Sequence, residues 1–423
     1  MWYIIYNFLL GILSLPAGIF ILMRNFRRAV NEISVLSERV NGKFLVRNKV
    51  KAKRLLLWCA SVGEVRSIIT LIDYLRDYDL VIAVGTASGY QQASRLFAGR
   101  DYVSVVYSPL DFPFSVSRFL TKIMPDAVLI VETEIWPNLI WIARRQGRPL
   151  ILINGRFSRR SRRLFLLFRS LIVQLLNNFS LLLLRSETDR NNLTLTGLKV
   201  PIEVTGNMKY DLGGTIDVGR AISQRSQLFK SQDLVIVAGS IRPGEEKIII
   251  VAYQQVREQI RQPLKLLIAP RHQEMIAAIE KYLGENNFSS ARWSQIDHSQ
   301  PVTVDCLVID TVGDLFNLYG LAQVAIIGGS FLDYGGQNPL EPAAWGCPVI
   351  FGKYMSNFAE EANALLKKGG GFLASDFSRL MENLIALLND RQKRIIAGEN
   401  ARKTQQELSG ATEKNFTRIK ELL

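Results

Sequence analysis

Arg54-Leu55-Leu56-Leu57-Trp58-Cys59-Ala60 is a short apolar run opened by an arginine and closed by small residues, and Ser61-Val62-Gly63-Glu64 follows it directly. A run this short and this uniformly apolar reads as a strand buried on both faces, and the small residues after it as a tight turn into a helix. The unit recurs at Leu80–Val84, Val103–Tyr107, Ala127–Val131, Leu150–Ile153 and Leu181–Leu184, with a helix-length segment between successive runs. Past Asp233 the rhythm restarts with Leu234–Ala238, Leu264–Ile268, Cys306–Ile309, Val324–Ile327 and Pro348–Phe351. Apolar strands alternating with helices predict parallel sheets covered on both faces. Two such series predict an α/β protein of two Rossmann-like, doubly wound domains, which a chain of 423 residues accommodates. The expected domains are residues 51–205 and 233–423, joined by a linker at 206–232 where Gly206, Gly213 and Gly214 interrupt the pattern. Ligands of open α/β sheets sit beyond the carboxyl ends of the strands, so the two domains are expected to face a central cleft.

The amino terminus reads differently. Residues 1–23 carry no charged side chain, and Arg24, Arg27 and Arg28 come immediately after. About 20 apolar residues suffice to cross a bilayer, and a basic flank on the carboxyl side keeps the body of the chain in the cytoplasm. Residues 1–23 are therefore expected to be an inner-membrane anchor, spanning or lying shallow, with 24–50 as a linking segment. A cleaved signal peptide would need a basic residue before the apolar run, and none is present.

Charge is distributed unevenly. Residues 1–205 hold 28 Lys and Arg against 14 Asp and Glu, whereas residues 206–423 hold 24 against 24. The whole net charge of +14 thus sits in the first half, which suits anionic lipid or a phosphorylated substrate. Arg156, Arg159, Arg160, Arg162 and Arg163 concentrate it ahead of an apolar stretch at Leu164–Val173. The interleaved phenylalanines have helical spacing, which favours packing over nucleic-acid stacking, so no nucleic-acid partner is expected. Three scattered cysteines and two histidines, His272 and His298, leave no material for a Cys- or His-rich metal centre. Asp77-Tyr78-Asp79 reads as a solvated turn, and no metal site or cofactor is expected.

The strand ends carry the chemistry. Glu64 stands near the start of the helix after the first strand, either as a base for an acceptor hydroxyl or as an acid complementing the helix dipole. Glu132-Thr-Glu134-Ile-Trp-Pro-Asn138 places two acids on one face of an extended segment before Pro137 opens a helix. They bind substrate or a neighbouring cation, or form an ion pair with one of the many arginines. Lys209, in Gly206-Asn-Met-Lys209-Tyr-Asp211, brings a cation to the domain junction. In the second half, the turn Ala238-Gly-Ser-Ile-Arg242-Pro-Gly-Glu-Glu246 is expected to leave backbone N–H groups free for an anion, and Arg271 to fork onto a phosphate. Gly328-Gly-Ser-Phe331 and Gly335-Gly-Gln-Asn338-Pro339-Leu340-Glu341 read as a phosphate cradle, with Glu341 able to accept from ribose hydroxyls.

Six strings, in order, resemble the Kdo (3-deoxy-D-manno-octulosonic acid) transferases, inverting glycosyltransferases of GT-B architecture: Ser61-Val-Gly-Glu64, Glu132-Thr-Glu-Ile-Trp-Pro-Asn138, Gly206-Asn-Met-Lys-Tyr-Asp211, Arg242-Pro-Gly-Glu-Glu246, Pro270-Arg-His272 and Gly335-Gly-Gln-Asn-Pro-Leu-Glu341. The apolar amino terminus is similar to that family's anchor. The resemblance implies CMP-Kdo as donor, a lipid A precursor as acceptor and no cofactor. It implies Glu64 as general base, with Glu132 and Lys209 assisting the transition state. Ser61 and Gly63 would bind substrate. Pro270, Arg271, Val312, Gly313, Asp314, Asn338, Pro339, Leu340 and Glu341 would hold CMP. The chain departs from the family's usual pattern at Trp58 and Gln337, where histidine is usual, and at Val312 and Asp314, where Met and Glu are common. Two other readings of the residues stand beside this one: a GT-B transferase or 2-epimerase using a UDP-sugar, and a membrane-tethered anion-binding protein without catalysis.

Overall fold

The computed structural model describes residues 2–12, 38–40, 44, 46–158, 165–193, 197–211 and 216–423. The chain forms two compact units, one of Met1–Gly213 with Ser409–Leu423 and the other of Gly214–Leu408.

In the first unit seven strands make one parallel sheet: β1 (Arg54–Cys59), β2 (Asp79–Val84), β3 (Val103–Tyr107), β4 (Ala127–Val131), β5 (Leu150–Gly155), β6 (Leu181–Leu184) and β7 (Ile202–Val204). Their order, β3-β2-β1-β4-β5-β6-β7, reverses direction between β1 and β4. That reversal is the switch point at which open sheets bind ligands. Leu56, Trp58, Val128 and Ile130 enter one core, and Leu55, Leu57, Cys59, Leu129 and Val131 enter the other. This period-two division explains why every residue of β1 is apolar after Arg54. Each fully buried Leu contributes roughly 1.5–3 kcal/mol relative to exposure.

Four helices of this unit bear on the site. Residues 2–12 form α1; α2 (Val62–Ser67) follows β1; α3 (Pro137–Arg145) follows β4. The fourth, α4 (Ala411–Glu421), returns from the far end of the chain. Asp211 fastens it, accepting from Gly410 N at 2.6 Å and from Thr412 N. Gly206, at φ +100°, permits the approach, since a Cβ there would lie 3.2 Å from the Ala411 methyl. The final residues therefore pack in the first unit's core through Ala411 and Ile419 rather than in the second domain as expected. The expected linker is likewise divided: 206–211 follows β7 and packs Met208 into the first unit's core, while the helix Val218–Leu228 packs Leu228 into the second unit. Gly213 and Gly214 lie outside the described residues.

The second unit repeats the plan with β8 (Leu234–Ile241), β9 (Leu264–Pro270), β10 (Ser290–Arg292), β11 (Cys306–Val308), β12 (Val324–Ile327), β13 (Val349–Gly352) and β14 (Gly371–Ala374), in the order β10-β11-β9-β8-β12-β13-β14. Its switch point lies between β8 and β12. The backbones pass so closely there that a Cβ on Gly328 would sit 2.4 Å from Ile241 Cα. The strands that the sequence pattern does not mark, β7, β10 and β14, are all at sheet edges. Ile-Glu-Val and Ser-Ala-Arg are only half buried, so they lack the apolar run that marks interior strands.

Of the expected anchor, only 2–12 is described, and among the described residues no helix is long and apolar enough to cross a membrane. The flanking Arg24, Arg27 and Arg28, like Arg159, Arg160, Arg162 and Arg163, lie outside the described residues.

Candidate active site and donor site

The carboxyl ends of β1, β4, β5 and β7 gather the acids and the lysine of the first unit. Ser61 caps α2, its Oγ accepting from Glu64 N at 3.4 Å. Glu64 reaches back so that Oε2 accepts from Ala60 N at 2.5 Å, while Ser61 Oγ donates to Oε1 at 2.8 Å. Only half of this is a capping box, because the returning bond goes to Ala60 N, one residue before the cap, but the acid does complement the helix start. It is also only 6% exposed. Burial, together with the neighbouring Glu134 and Glu132 carboxylates, raises its pKa to about 7 against the opposing hydrogen bonds from Ala60 and Ser61. A carboxylate poised there can take a proton at neutral pH, as a general base must.

Glu132 is the first residue past β4 and adopts φ +59°. A left-handed conformation costs a non-glycine residue about 1 kcal/mol or more and persists only where the surroundings hold it. Here the Glu132 N–H donates to Ile153 O at 3.0 Å, and its carboxylate pairs with Lys209 Nζ. Glu132 thus meets a lysine contributed from beyond β7 rather than one of the arginines. Asn154, fully buried at φ +53°, places that lysine by accepting from Met208 N at 3.0 Å. Asn207 accepts from Lys209 N at 3.1 Å. Neither asparagine is among the residues expected from the sequence to shape the site. An Asn closing an apolar strand is the available signal, because Asn tolerates positive φ better than other residues.

Glu134 accepts from Trp136 Nε1 at 2.7 Å, and burial raises its pKa. Beneath the acids the Cys59 thiol is pushed well above its ordinary pKa by burial and by these carboxylates, so it remains a neutral core group. Glu134→Gln is expected to move the acid limb of the kcat–pH profile to lower pH by removing one neighbouring charge from Glu64. The limb should stop short of the ordinary carboxylate range, since burial is the larger cause. A profile measured from about pH 5 to about pH 9, spanning both sides of a base poised near neutrality, checks this. An unmoved limb contradicts it.

The second unit departs from expectation at its glycine-rich turns. Glu245, fully buried at the start of the helix Glu245–Gln259, accepts from Arg242 N at 2.8 Å, Gly329 N at 2.6 Å and Phe331 N at 2.9 Å. Glu246 accepts from Gly244 N at 2.7 Å. Those amides, expected to be free for a phosphate, already hold the chain's own carboxylates. Arg242 is likewise engaged, with His272 Nε2 at 2.7 Å and its guanidinium 5.5 Å from the Tyr334 ring centre.

The other expected donor residues stand at the carboxyl ends of β9 and β11 and in the loop after β12. Pro270 ends β9, and Arg271, anchored through its N–H to Ile241 O at 2.9 Å, is exposed. Val312 and Gly313, the latter at φ +107°, form an exposed tip. Asp314 closes that tip by accepting from Thr311 Oγ1 at 2.5 Å. Asn338 accepts from Leu340 N at 3.1 Å, leading past Pro339 into the short helix Leu340–Ala344 that carries Glu341. An exposed forked cation and a partly buried acid have the chemistry to bind a phosphate and a ribose hydroxyl respectively. Among the described residues no three His, Cys, Asp or Glu side chains gather as metal ligands.

Residues 36–212 match the family model described as 3-deoxy-D-manno-octulosonic-acid transferase. The chain is 30% identical over 375 residues to the 3-deoxy-D-manno-octulosonic acid transferase of Haemophilus influenzae, covering 87% of each chain. It is 31% identical over 374 residues to that of Bordetella pertussis, covering 86% of each. Among solved structures, UDP-GlcNAc 2-epimerase from Neisseria meningitidis is similar in fold, with a TM-score of 0.55 at 15% identity over 84% of this chain and 99% of that one. That likeness extends to the fold alone, whereas the sequence matches reach across both units at about 30% identity, and on them the chain belongs to the 3-deoxy-D-manno-octulosonic acid transferase family.

Proposed function

We propose that this enzyme is an inverting glycosyltransferase that moves Kdo from CMP-Kdo to a phosphorylated lipid A precursor in lipopolysaccharide core assembly. The observation that carries the reading is Glu64: a buried carboxylate raised to about 7 at the switch point of the first sheet, beside a Glu132–Lys209 pair. Glu64 removes the proton from the acceptor hydroxyl as its oxygen attacks the anomeric carbon of the donor, and CMP departs as a phosphate monoester. Lys209, held by Glu132, assists the transition state as a fixed cation. Pro270, Arg271, Val312, Gly313, Asp314, Asn338, Pro339, Leu340 and Glu341 hold CMP, and Ser61 and Gly63 line the acceptor side. Arginine and lysine supply the positive charge, with no divalent metal or cofactor.

The reading places the enzyme on the cytoplasmic side of the inner membrane, against anionic lipid. The exposed side chains Ile4, Phe8, Leu9 and Ile12 of α1, with Leu166 and Leu167, support that placement, as does the basic first half of the sequence.

The test is transfer from CMP-Kdo, generated in situ, to a tetraacylated, bisphosphorylated lipid A precursor with EDTA present, read by mass spectrometry of the lipid. A gain of one or more Kdo masses is expected. No gain, with thermal stabilisation by UDP and none by CMP, overturns the donor assignment.

A further inference from the structure

The face that α1 turns toward the first unit is polar at its centre. Tyr6 donates its hydroxyl to Asp111 Oδ2 at 3.0 Å. Asn7 exchanges two hydrogen bonds with Asn138, Nδ2 donating to Asn138 Oδ1 at 3.0 Å and Oδ1 accepting from Asn138 Nδ2 at 2.8 Å. Asp111 in turn accepts from the first-turn amides of α3, Asn138 N and Leu139 N, both at 3.0 Å. Asn138 also donates to Asp111 O. Tyr3 and Tyr6 set their rings edge-on against Trp141, with centroids 5.1 and 6.1 Å away, and the Arg145 guanidinium lies 4.7 Å from the Tyr3 ring centre.

This pattern exceeds what a lipid-seeking helix needs. Apolar packing alone would hold α1 without a buried carboxylate and a fully buried asparagine, both of which are costly to desolvate. Satisfied polar networks fix one register. The register fixed here is that of Pro137-Asn138-Leu139, the direct continuation of the loop carrying Glu132 and Glu134. That loop begins with a left-handed glutamate, a conformation its surroundings must enforce.

We propose that residues 2–12 are a positioning element of the active site: Tyr6 and Asn7, acting through Asp111 and Asn138, hold the first turn of α3 and so set the loop that presents Glu132 to Lys209. The inference rests on the reading of Glu132 and Lys209 given above. Tyr6 and Asn7 touch no reacting atom, so their effect travels through the loop. Docking of α1 thereby couples the amino-terminal helix to the rate of transfer as well as to location.

Hydrogen exchange and kinetics on the full chain in detergent micelles test this, because delivery to a bilayer then limits nothing. Tyr6→Phe keeps the ring on Trp141 and deletes only the hydroxyl, and Asn7→Ala deletes the amide exchange. The double variant is expected to speed exchange of the Asn138 and Leu139 amides about tenfold, a local opening without global unfolding. It should lower kcat about five- to tenfold while KM for CMP-Kdo stays constant, since the donor residues lie in the other unit. Ile4→Ser, on the exposed face of α1, should leave exchange at those amides unchanged. Unchanged exchange in the double variant overturns the proposal. Faster exchange with an unchanged kcat overturns it too, provided Glu132→Gln is inactive in the same assay. If Glu132→Gln turns over normally, the reading of the site itself has failed and the positioning role falls with it.

Discussion

Glu64→Gln is expected to lower kcat by about a hundred- to ten-thousand-fold, the range over which a positioned general base contributes. It should also make the protein more stable at about pH 8, above the raised pKa. Both effects come from one placement. The substituted amide can keep the bonds at the helix start, accepting from Ala60 N and donating to Ser61 Oγ, so α2 should survive the change. What it cannot do is take a proton from the acceptor hydroxyl. The stability effect arises from linkage: the folded-state pKa of about 7 exceeds the ordinary value of 4.5, so the folded chain binds more protons between those values. Glu64 therefore opposes folding increasingly as pH rises from about 4.5 to about 7, and by a constant amount above that. At about 1.4 kcal/mol per unit the penalty reaches roughly 3–4 kcal/mol, and the neutral amide lifts it. Melting curves of the two proteins should coincide near about pH 4.5 and separate in favour of Glu64→Gln at about pH 8. Lost turnover with lowered stability at the higher pH would mark Glu64 as a cap alone. Retained turnover would remove it as the base.

The two readings of Glu64 that the sequence leaves open, cap and base, describe the same carboxylate. Ser61-Val-Gly-Glu64 spells a capping box in any protein, and nothing in those four residues shows that the box is buried beside two further acids. That information lies in β4 and the loop after it, far along the chain, and reaches Glu64 only because β1 and β4 pair at the switch point. Interior strands are legible because each is buried on both faces and hence apolar throughout. The half-buried edge strands Ile202–Val204 and Ser290–Arg292 are not, although β3, also at an edge, is apolar enough to be read. The return of α4 to the first unit is equally hidden. Gly410 and Thr412 are ordinary at a helix start, and only the fold brings the distant Asp211 to them. At the amino terminus, Tyr3, Tyr6 and Asn7 lie at helical spacing within an uncharged run, and a count of charges overlooks that polar stripe.

The glycine-rich turns of the second unit hold the other large expected effect. Arg242-Pro-Gly-Glu-Glu246 and Gly328-Gly-Ser-Phe331 look like an anion cradle in sequence, and they are one, but the anion is Glu245. Three backbone amides from two loops converge on a single fully buried carboxylate. Removing it leaves donors without acceptors, each costing about 1–3 kcal/mol when buried. Glu245→Ala is therefore expected to destabilise the second unit by about 3 kcal/mol or more, the combined cost of those donors. Urea unfolding followed by hydrogen exchange on β8 and β12 should show the loss there, while exchange at Leu57 and Leu129 in the first sheet stays slow. CMP should bind more weakly as well, because the Ile241 carbonyl that anchors Arg271 adjoins the turn that Glu245 holds. Glu245→Gln tests the same network more gently. It retains an oxygen for some of the amides but turns an NH2 toward the others, so it should fall between wild type and alanine in stability. If Glu245→Gln instead abolishes transfer with stability and CMP binding intact, Glu245 takes part in the chemistry, and its three amide contacts hold it for that purpose rather than to join the loops.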